Sequence, residues 1–342
     1  MAGGRRAPRG ERAVPARSRR RRPVTILVVG GAGFIGSHLV KTVMGEDPDV
    51  AVRIFDNFSS GREWHLAEVA GDPRLAVVRG DVKDLPALQA AMRGADAVYH
   101  FASNPDIARA VTEPDVDFWE GTYLTNNVAE AMRREGVRRV LYASGSGLYG
   151  DTGEAVAHED WSPLRPISTY GASKLAGEVL FCSYCHMFGL VATAFRFANV
   201  VGPHQTHGVG FDFVKRLLAD PTRLRILGDG TQNKSYLHVH DVIAAMRLCH
   251  RVQEDGFATY NVATEDLLTV SRIADLSCEV VGVTGVRYEY TGGNRGWKGD
   301  VPVVRLDSSR IRALGWKNRF SAREAMRDAL VSMLRDARAG KL

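Results

Sequence analysis

At 342 residues, 45% of them hydrophobic, the chain is long enough for one large domain or two moderate ones. No apolar stretch reaches the length of a membrane span, which argues against a helical membrane protein. The formal charge of +6 is uneven: residues 1–22 hold nine Arg and one Glu, a net of +8, while the remainder holds 36 basic and 38 acidic residues, a net of −2, so the body does not read as a nucleic-acid binder.

Residues 1–22, rich in Arg, Gly, Ala and Pro, are expected to form a disordered basic tail. They lack the apolar segment of a secretory signal and read as an inert extension in preference to an RNA-binding arm. The apolar, β-branched run Pro23–Val29 predicts a buried parallel strand. Gly30-Gly31-Ala32-Gly33-Phe34-Ile35-Gly36 follows, then a helix from Phe34 to about Met44 with Ile35, Leu39 and Val43 on one face. Glycines at a strand-to-helix turn let backbone N–H groups and the helix N-terminus face a pyrophosphate. Asp56 ends the next strand, 20 residues after Gly36, where a carboxylate accepts hydrogen bonds from an adenosine ribose and repels a 2′-phosphate. The order strand, turn, helix, strand, acid predicts a dinucleotide site that prefers NAD to NADP, with Arg62 as a counter-signal.

The alternation continues: a strand over Leu75–Asp81, a helix from about Leu85 to Met92, a strand over Ala97–Phe101, a long helix from about Asp115 to Glu135, and a strand over Val140–Ser144. A helix carries Tyr170 and Lys174 and runs to Phe188, and a strand follows over Leu190–Arg196. This rhythm predicts an α/β fold, a Rossmann-type doubly wound parallel sheet over residues 23–200. Residues 201–342 are expected to form a smaller α/β substrate-binding region, with some segments returning to the sheet and an amphipathic last helix from about Ala322 to Arg338. Cys182 and Cys185 form a CxxC without a second pair, so buried reduced thiols on a core helix, no metal and a cytoplasmic protein are expected.

Tyr170-Gly171-Ala172-Ser173-Lys174 sets a phenol and an ammonium one helical turn apart. The lysine can lower the phenol's pKa electrostatically, and the tyrosinate can act as general base toward a hydroxyl. With GGAGFIGSHL at 30–39, DNFSSGR at 56–62, GDVKD at 80–84, HFAS at 100–103, YASGSGLYGD at 142–151, RFANVVGP at 196–203 and GDGTQNKSYLHVHDV at 228–242, these residues resemble the extended short-chain dehydrogenase/reductase family, and within it the nucleotide-sugar 4-epimerases. The resemblance implies a homodimer built on helices 115–135 and 169–187. It implies a tightly held NAD, regenerated each cycle, on Gly30, Gly33, Phe34, Ile35, Gly36, Asp56, Asn57, Ser59, Ser60, Gly61, Asp81, Val82, Phe101, Ala102, Ser103, Tyr170 and Lys174. The implied activity is C4 epimerisation of a UDP-sugar, UDP-glucuronate or UDP-glucose, through a transient 4-keto sugar. The enzymatic alternative is a nucleotide-sugar 4-ketoreductase or 4,6-dehydratase, and the non-enzymatic one an NAD-binding scaffold with an RNA-binding tail.

The chain departs from the family at three places. The hydroxyl usual four residues before the tyrosine of the YG pair falls at Gly145; Ser144 and Ser146 flank it, and one of them is expected to assist Tyr170, with Ser144 preferred. The acid that dehydratases and uronate decarboxylases carry two residues before that tyrosine falls at Gly147, which favours simple epimerisation. An asparagine common in the helix beside the site falls at Gly121. Substrate contacts are expected from Ser144, Ser146, Tyr170, Asn199, Phe211, Lys234 and Arg295, the cations serving an anionic diphosphate. His204 and His207 are further candidates for a sugar hydroxyl or carboxylate, and as loop histidines are more often merely exposed.

Overall fold

Residues 24–341 are described by a computed structural model, and the basic tail lies outside them. Strands β1 (Val24–Val29), β2 (Val50–Asp56), β3 (Leu75–Arg79), β4 (Ala97–His100), β5 (Arg139–Ala143) and β6 (Val191–Phe197) form a parallel sheet. The strand Phe257–Val262 completes it, in the order 257–262, β6, β5, β4, β1, β2, β3. The order reverses between β1 and β4, whose last residues Val29 and His100 are paired. A reversal of this kind opens a crevice at the carboxyl ends of the strands, so the Rossmann-type sheet is as the sequence predicts.

Side-chain alternation explains why β1 reads as one apolar run. Ile26 and Val28 enter a core with α1 (Phe34–Glu46) and α6 (Val239–Val252), whereas Leu27 and Val29 enter another with α2 (Leu85–Met92), α3 (Tyr123–Glu135) and α4 (Thr169–Phe188). Both faces of the sheet are thus covered, as a parallel sheet requires. A third core joins α5 (Val209–Ala219), α7 (Val270–Val281) and the C-terminal helix Ala322–Arg338 through Phe213, Leu217, Ile273, Met326 and Leu330. That last helix starts in a capping box between Ser321 and Glu324.

Two boundaries differ from the sequence reading. The helix expected from 115 opens with a π-helical turn, Phe118–Thr122, before α3. Helix α4 starts at Thr169 as expected, because the Ser168 hydroxyl accepts the Gly171 N–H at 3.0 Å. Strand β3 ends at Arg79, and its outward side chains are exposed because it is the sheet edge. All four cysteines are free; Cys185 is buried and its thiol is pushed up to about 11 by burial. No helix among the described residues is long and apolar enough to cross a membrane.

A file of imidazoles joins the sheet to the third core. His65 stacks on His204 (centroids 4.6 Å, planes 4° apart), His204 meets His38 at 4.8 Å, His38 meets His240 at 5.3 Å, and His240 meets His238 at 4.8 Å. The ends are tied down: the His65 Nδ1 to the Ala32 carbonyl at 2.8 Å, and the His238 Nε2 to Asp328 at 3.1 Å. His204 contacts Ser37, His38 and His65, while His207 is exposed just before α5. Burial drives His38 down to about 3, His65 to about 4 and His204 to about 2, with the Lys41 ammonium adding to each shift.

These three rings stay neutral in the fold but bind protons below pH about 6.5 once unfolded. The unfolded state then holds more protons, so stability is complete above pH 6.5 and falls toward pH 4, by up to about 1.4 kcal/mol per pH unit for each ring. The denaturant midpoint at pH 5.5 is expected to lie clearly below that at pH 7.5, and equal midpoints would contradict this reading.

Candidate active site

The glycine turn has different reasons for each glycine. Gly30 has φ of +82°, and a Cβ there would lie 2.7 Å from the Ala102 nitrogen, so the turn needs glycine to fit against the loop after β4. A Cβ at Gly36 would lie 2.3 Å from the Gly30 carbonyl oxygen. Gly33 has ordinary backbone angles, and a Cβ there would meet only the Gly30 oxygen, at 3.3 Å. The protein's own packing thus leaves the space at Gly33 open, next to the first-turn N–H groups of Phe34, Ile35 and Gly36, which have no intrahelical acceptor. Such a cradle fits the pyrophosphate of a dinucleotide.

Asp56 fixes this turn from β2. Its Oδ2 accepts the Ala32 N–H at 2.9 Å and its Oδ1 the Phe58 N–H at 2.8 Å, while burial raises its pKa. Beside it, Asn57 accepts the Ser59 N–H at 3.0 Å and donates to Asp81 at 3.4 Å; Ser60 is half-buried, and Gly61 backs against Ala32. Asp81 is half-exposed, and the buried Val82 gives its carbonyl to Asn127 at 2.9 Å. Phe101 and Ala102 donate their N–H groups to the Val29 carbonyl at 2.9 and 3.2 Å, which brings the loop after β4 across the end of β1. The expected cofactor residues therefore follow the carboxyl ends of β1, β2, β3 and β4. Arg62 turns its guanidinium to the Gly61 carbonyl at 2.9 Å.

Tyr170 and Lys174 lie at the other end of that crevice. Lys174 is 3% exposed, donates to the Ala143 carbonyl at 2.9 Å, and stands 5.4 Å from the ring centroids of Tyr170 and Tyr142. Burial pulls its ammonium down to about 8, and the Asp117 carboxylate opposes that shift. Burial pushes the Tyr170 phenol up to about 12; the neighbouring Ser103 hydroxyl pulls it down and Asp117 pushes it up. The backbone of residues 145–147 borders the ring: a Cβ at Gly145 or Gly147 would reach it at 4.0 and 3.9 Å.

Ser144 is tied into a second network. Its hydroxyl donates to Glu178 Oε1 at 2.6 Å, and Glu178 is paired with Arg196 at 2.8 Å in a buried network that includes Tyr149 and Asn261. The Ser144 proton is therefore taken up by that network, which leaves its oxygen as an acceptor. Ser146 lies in the short turn Ser146–Tyr149, half-buried, and lines a small cavity with Tyr149, Val303 and Arg305. Gly121 packs against Ser173, since a Cβ there would lie 2.7 Å from Ser173 Oγ.

The expected substrate cations are already paired. Lys234 binds Asp300 at 2.6 Å, and Arg295 binds Asp151 at 2.5 Å and the Asp300 carbonyl. Phe211 is half-buried on α5 with Lys215 over its ring at 5.2 Å, and Asn199 opens a short strand, Asn199–Val201. The sequence reading missed Asp117, which is 1% exposed, and its partners Asn104 and Thr169. The available signal was an acid inside an otherwise helical stretch, which alone points nowhere. Among the described residues no His, Cys, Asp and Glu group is arranged to hold a metal ion.

Residues 26–263 match the NAD dependent epimerase/dehydratase family. A dTDP-glucose 4,6-dehydratase of Streptomyces griseus is 32% identical over 298 residues, covering 85% of this chain and 88% of that protein. Among solved structures, a UDP-galactose 4-epimerase is similar at 36% identity with a TM-score of 0.81, covering 92% of this chain and 99% of that one. MoeE5, solved with UDP-glucuronic acid and NAD and also with UDP-glucose and NAD, is 28% identical with a TM-score of 0.78, covering 92% of this chain and 99% of its own.

The two kinds of glycine separate in mutants. Gly33→Ala is expected to leave thermal stability within about 1 kcal/mol while weakening NAD binding by at least about tenfold. Gly36→Ala is expected to lower both. Normal NAD affinity in a folded Gly33→Ala protein would mean that the open space does not receive the dinucleotide.

Proposed function

This chain belongs to the NAD-dependent epimerase/dehydratase family, and from that premise we propose that it inverts C4 of a UDP-sugar, interconverting UDP-glucuronate with UDP-galacturonate or UDP-glucose with UDP-galactose. NAD is its cofactor. Gly30, Gly33 and the N–H groups of Phe34, Ile35 and Gly36 would hold the pyrophosphate. Asp56, Asn57, Ser59, Ser60 and Gly61 would hold the adenosine ribose, Asp81 and Val82 the adenine, and Phe101, Ala102 and Ser103 the segment leading to Tyr170 and Lys174. When bound there, NAD supplies a hydride acceptor at C4 that becomes the donor for the opposite face of the sugar.

The phenolate of Tyr170 takes the proton of the C4 hydroxyl and later returns it. Lys174 favours that phenolate by its charge and reaches the ribose nearest it. A phenol pushed up to about 12 is scarcely ionised near neutrality, so positive charge brought to its side of the crevice is part of its activation. Asn199, Phe211, Lys234 and Arg295 are the chain's contacts to the nucleotide side. The two cations must exchange their carboxylates for phosphate or share them. The reaction has no net redox change, so the protein should purify with its cofactor and need no second substrate.

The observation that carries epimerisation over dehydration is the segment against the Tyr170 ring, Gly145-Ser146-Gly147, which has no carboxyl group. A 4,6-elimination must take a proton from C5 and protonate the leaving hydroxyl at C6, and catalytic groups must stand ready for both. The two buried carboxylates nearby are engaged, Glu178 with Arg196 and Asp117 with Asn104 and Thr169. The apolar side chains left exposed at the start of the α3 rod and on α4 (Phe118, Trp119, Val179, Met187 and Phe188) support pairing of two copies through these helices.

Purified protein incubated without added cofactor with UDP-glucose, UDP-glucuronate or dTDP-glucose in separate tubes, and followed by proton NMR, is expected to give a 4-epimer from at least one UDP-sugar. A 4-keto-6-deoxy product from dTDP-glucose with both UDP-sugars unchanged would overturn the proposal in favour of a dehydratase. Tyr170→Phe is expected to lower kcat by at least about 100-fold with NAD still bound. In sedimentation at micromolar concentration the protein is expected to be a dimer and Val179→Arg a monomer; a monomeric parent would refute the pairing.

A further inference from the structure

Asp117 is a carboxylate closed off from solvent within reach of the tyrosine–lysine pair, and the chemistry above does not use it. It sits at the start of the helical rod that continues into α3. Its Oδ2 accepts the Thr169 hydroxyl at 2.6 Å, and Thr169 is the first residue of α4 and immediately precedes Tyr170. Its Oδ1 accepts the Asn104 side-chain N–H at 2.9 Å. Asn104 in turn folds its own loop: the same Nδ2 donates to the Asp106 carbonyl at 2.9 Å, and its Oδ1 accepts the Asp106 N–H at 3.0 Å. Ser103, next to Asn104, donates its hydroxyl to the Asn104 carbonyl at 3.4 Å and lies beside the Tyr170 phenol, lowering its pKa. One buried carboxylate thus clips the loop that carries Ser103 to the helix turn that carries Tyr170.

One of the two hydroxyls flanking Gly145 is already engaged. Ser144 is bound to Glu178, and Gly145 and Gly147 present bare backbone to the ring. We propose that the Asn104–Asp117–Thr169 clamp is a positioning device that sets the Ser103 hydroxyl on the Tyr170 phenol and places a negative charge behind the tyrosine–lysine pair. The inference rests on Tyr170 being the base. The clamp has two separable effects. The Thr169 and Asn104 bonds fix distance and orientation, which a charge alone cannot do. The carboxylate charge raises the pKa of both Lys174 and Tyr170, holding the ammonium charged at the cost of a more basic phenol. Other groups facing the pair are His100 at the end of β4, held neutral by burial and by Lys174; Tyr142 on β5; and Glu178 on α4, paired with Arg196. Asp117 is the carboxylate whose charge acts on both Tyr170 and Lys174.

Thr169 is exposed, so its side chain can be changed with little effect on folding. Thr169→Val keeps the shape and removes the hydroxyl; Thr169→Ser keeps the hydroxyl. With the holoenzyme and a UDP-sugar that it epimerises, Thr169→Val is expected to lower kcat by about tenfold or more with KM nearly unchanged, and Thr169→Ser to restore most of it, both with the parent's pH profile. Asp117→Asn, which keeps the size and removes the charge, is expected to move both limbs of the kcat–pH profile downward by about half a unit or more. Ser103→Ala is expected to lower kcat and to show no further loss when combined with Thr169→Val. Parent-like kcat in Thr169→Val, or unmoved limbs in a folded Asp117→Asn, would overturn the clamp while Tyr170→Phe remains inactive. Activity in Tyr170→Phe would instead remove the premise.

Discussion

The site depends on one buried ion pair between α4 and β6. Glu178 and Arg196 meet at 2.8 Å with side chains 4% and 6% exposed, and the guanidinium Nε also reaches both carboxylate oxygens. Around them the polar groups are paired: Ser144 donates to Glu178, Arg196 donates to the Tyr149 hydroxyl and the Glu159 carbonyl, and Tyr149 donates to Asn261. This network binds the end of β5, the turn at 146–149, the helix of Tyr170 and Lys174, and two strands into one rigid unit. Breaking such a pair by removing one partner costs on the order of 3–5 kcal/mol, because an uncompensated charge stays buried. The pair thus contributes less as net attraction than as an enforced position for α4 relative to the strand ends.

That position explains which sequence expectations the structure supports. The glycine turn, Asp56 and the strand rhythm were legible because each is a local pattern: an apolar run, a bend that needs glycine, and an acid at a strand end. Tyr170 and Lys174 were legible because one helical turn separates them. Ser144 looked equally local, yet its partner lies 34 residues on, across the sheet, and nothing in the run from 142 to 151 announces Glu178. Lys234 and Arg295 read as free cations because their carboxylates, Asp300 and Asp151, are 66 and 144 residues away. His204 looked like a loop residue because stacking on His65 and His38 exists only after two lobes have met.

Asp117 shows the same limit from the opposite side. Nothing marks it in the sequence, since an acid early in a helix is ordinary. Its meaning comes from a π-helical turn just after it and from two loops converging on it, and neither is written in residue periodicity. The broad chemistry of this chain is therefore carried by short-range patterns, while the placement of its proton-handling groups is carried by long-range pairing of buried polar atoms.

The strand Phe257–Val262 has a consequence for how the protein is made. It lies beside β6, with Phe257 opposite Ala192 and Val262 opposite Phe197, although about sixty residues separate them along the chain. A ribosome that has extruded the chain only through β6 has produced a six-stranded sheet whose last strand, buried at every residue in the finished protein, is an open edge. Asn261, which receives Tyr149 and fastens the loop at Ala157, has not yet been synthesised at that stage. The nascent amino-terminal half therefore cannot close by itself. It must wait for the segment from 198 to 262 to emerge, and during that interval it offers a ready strand-pairing partner to any neighbouring chain.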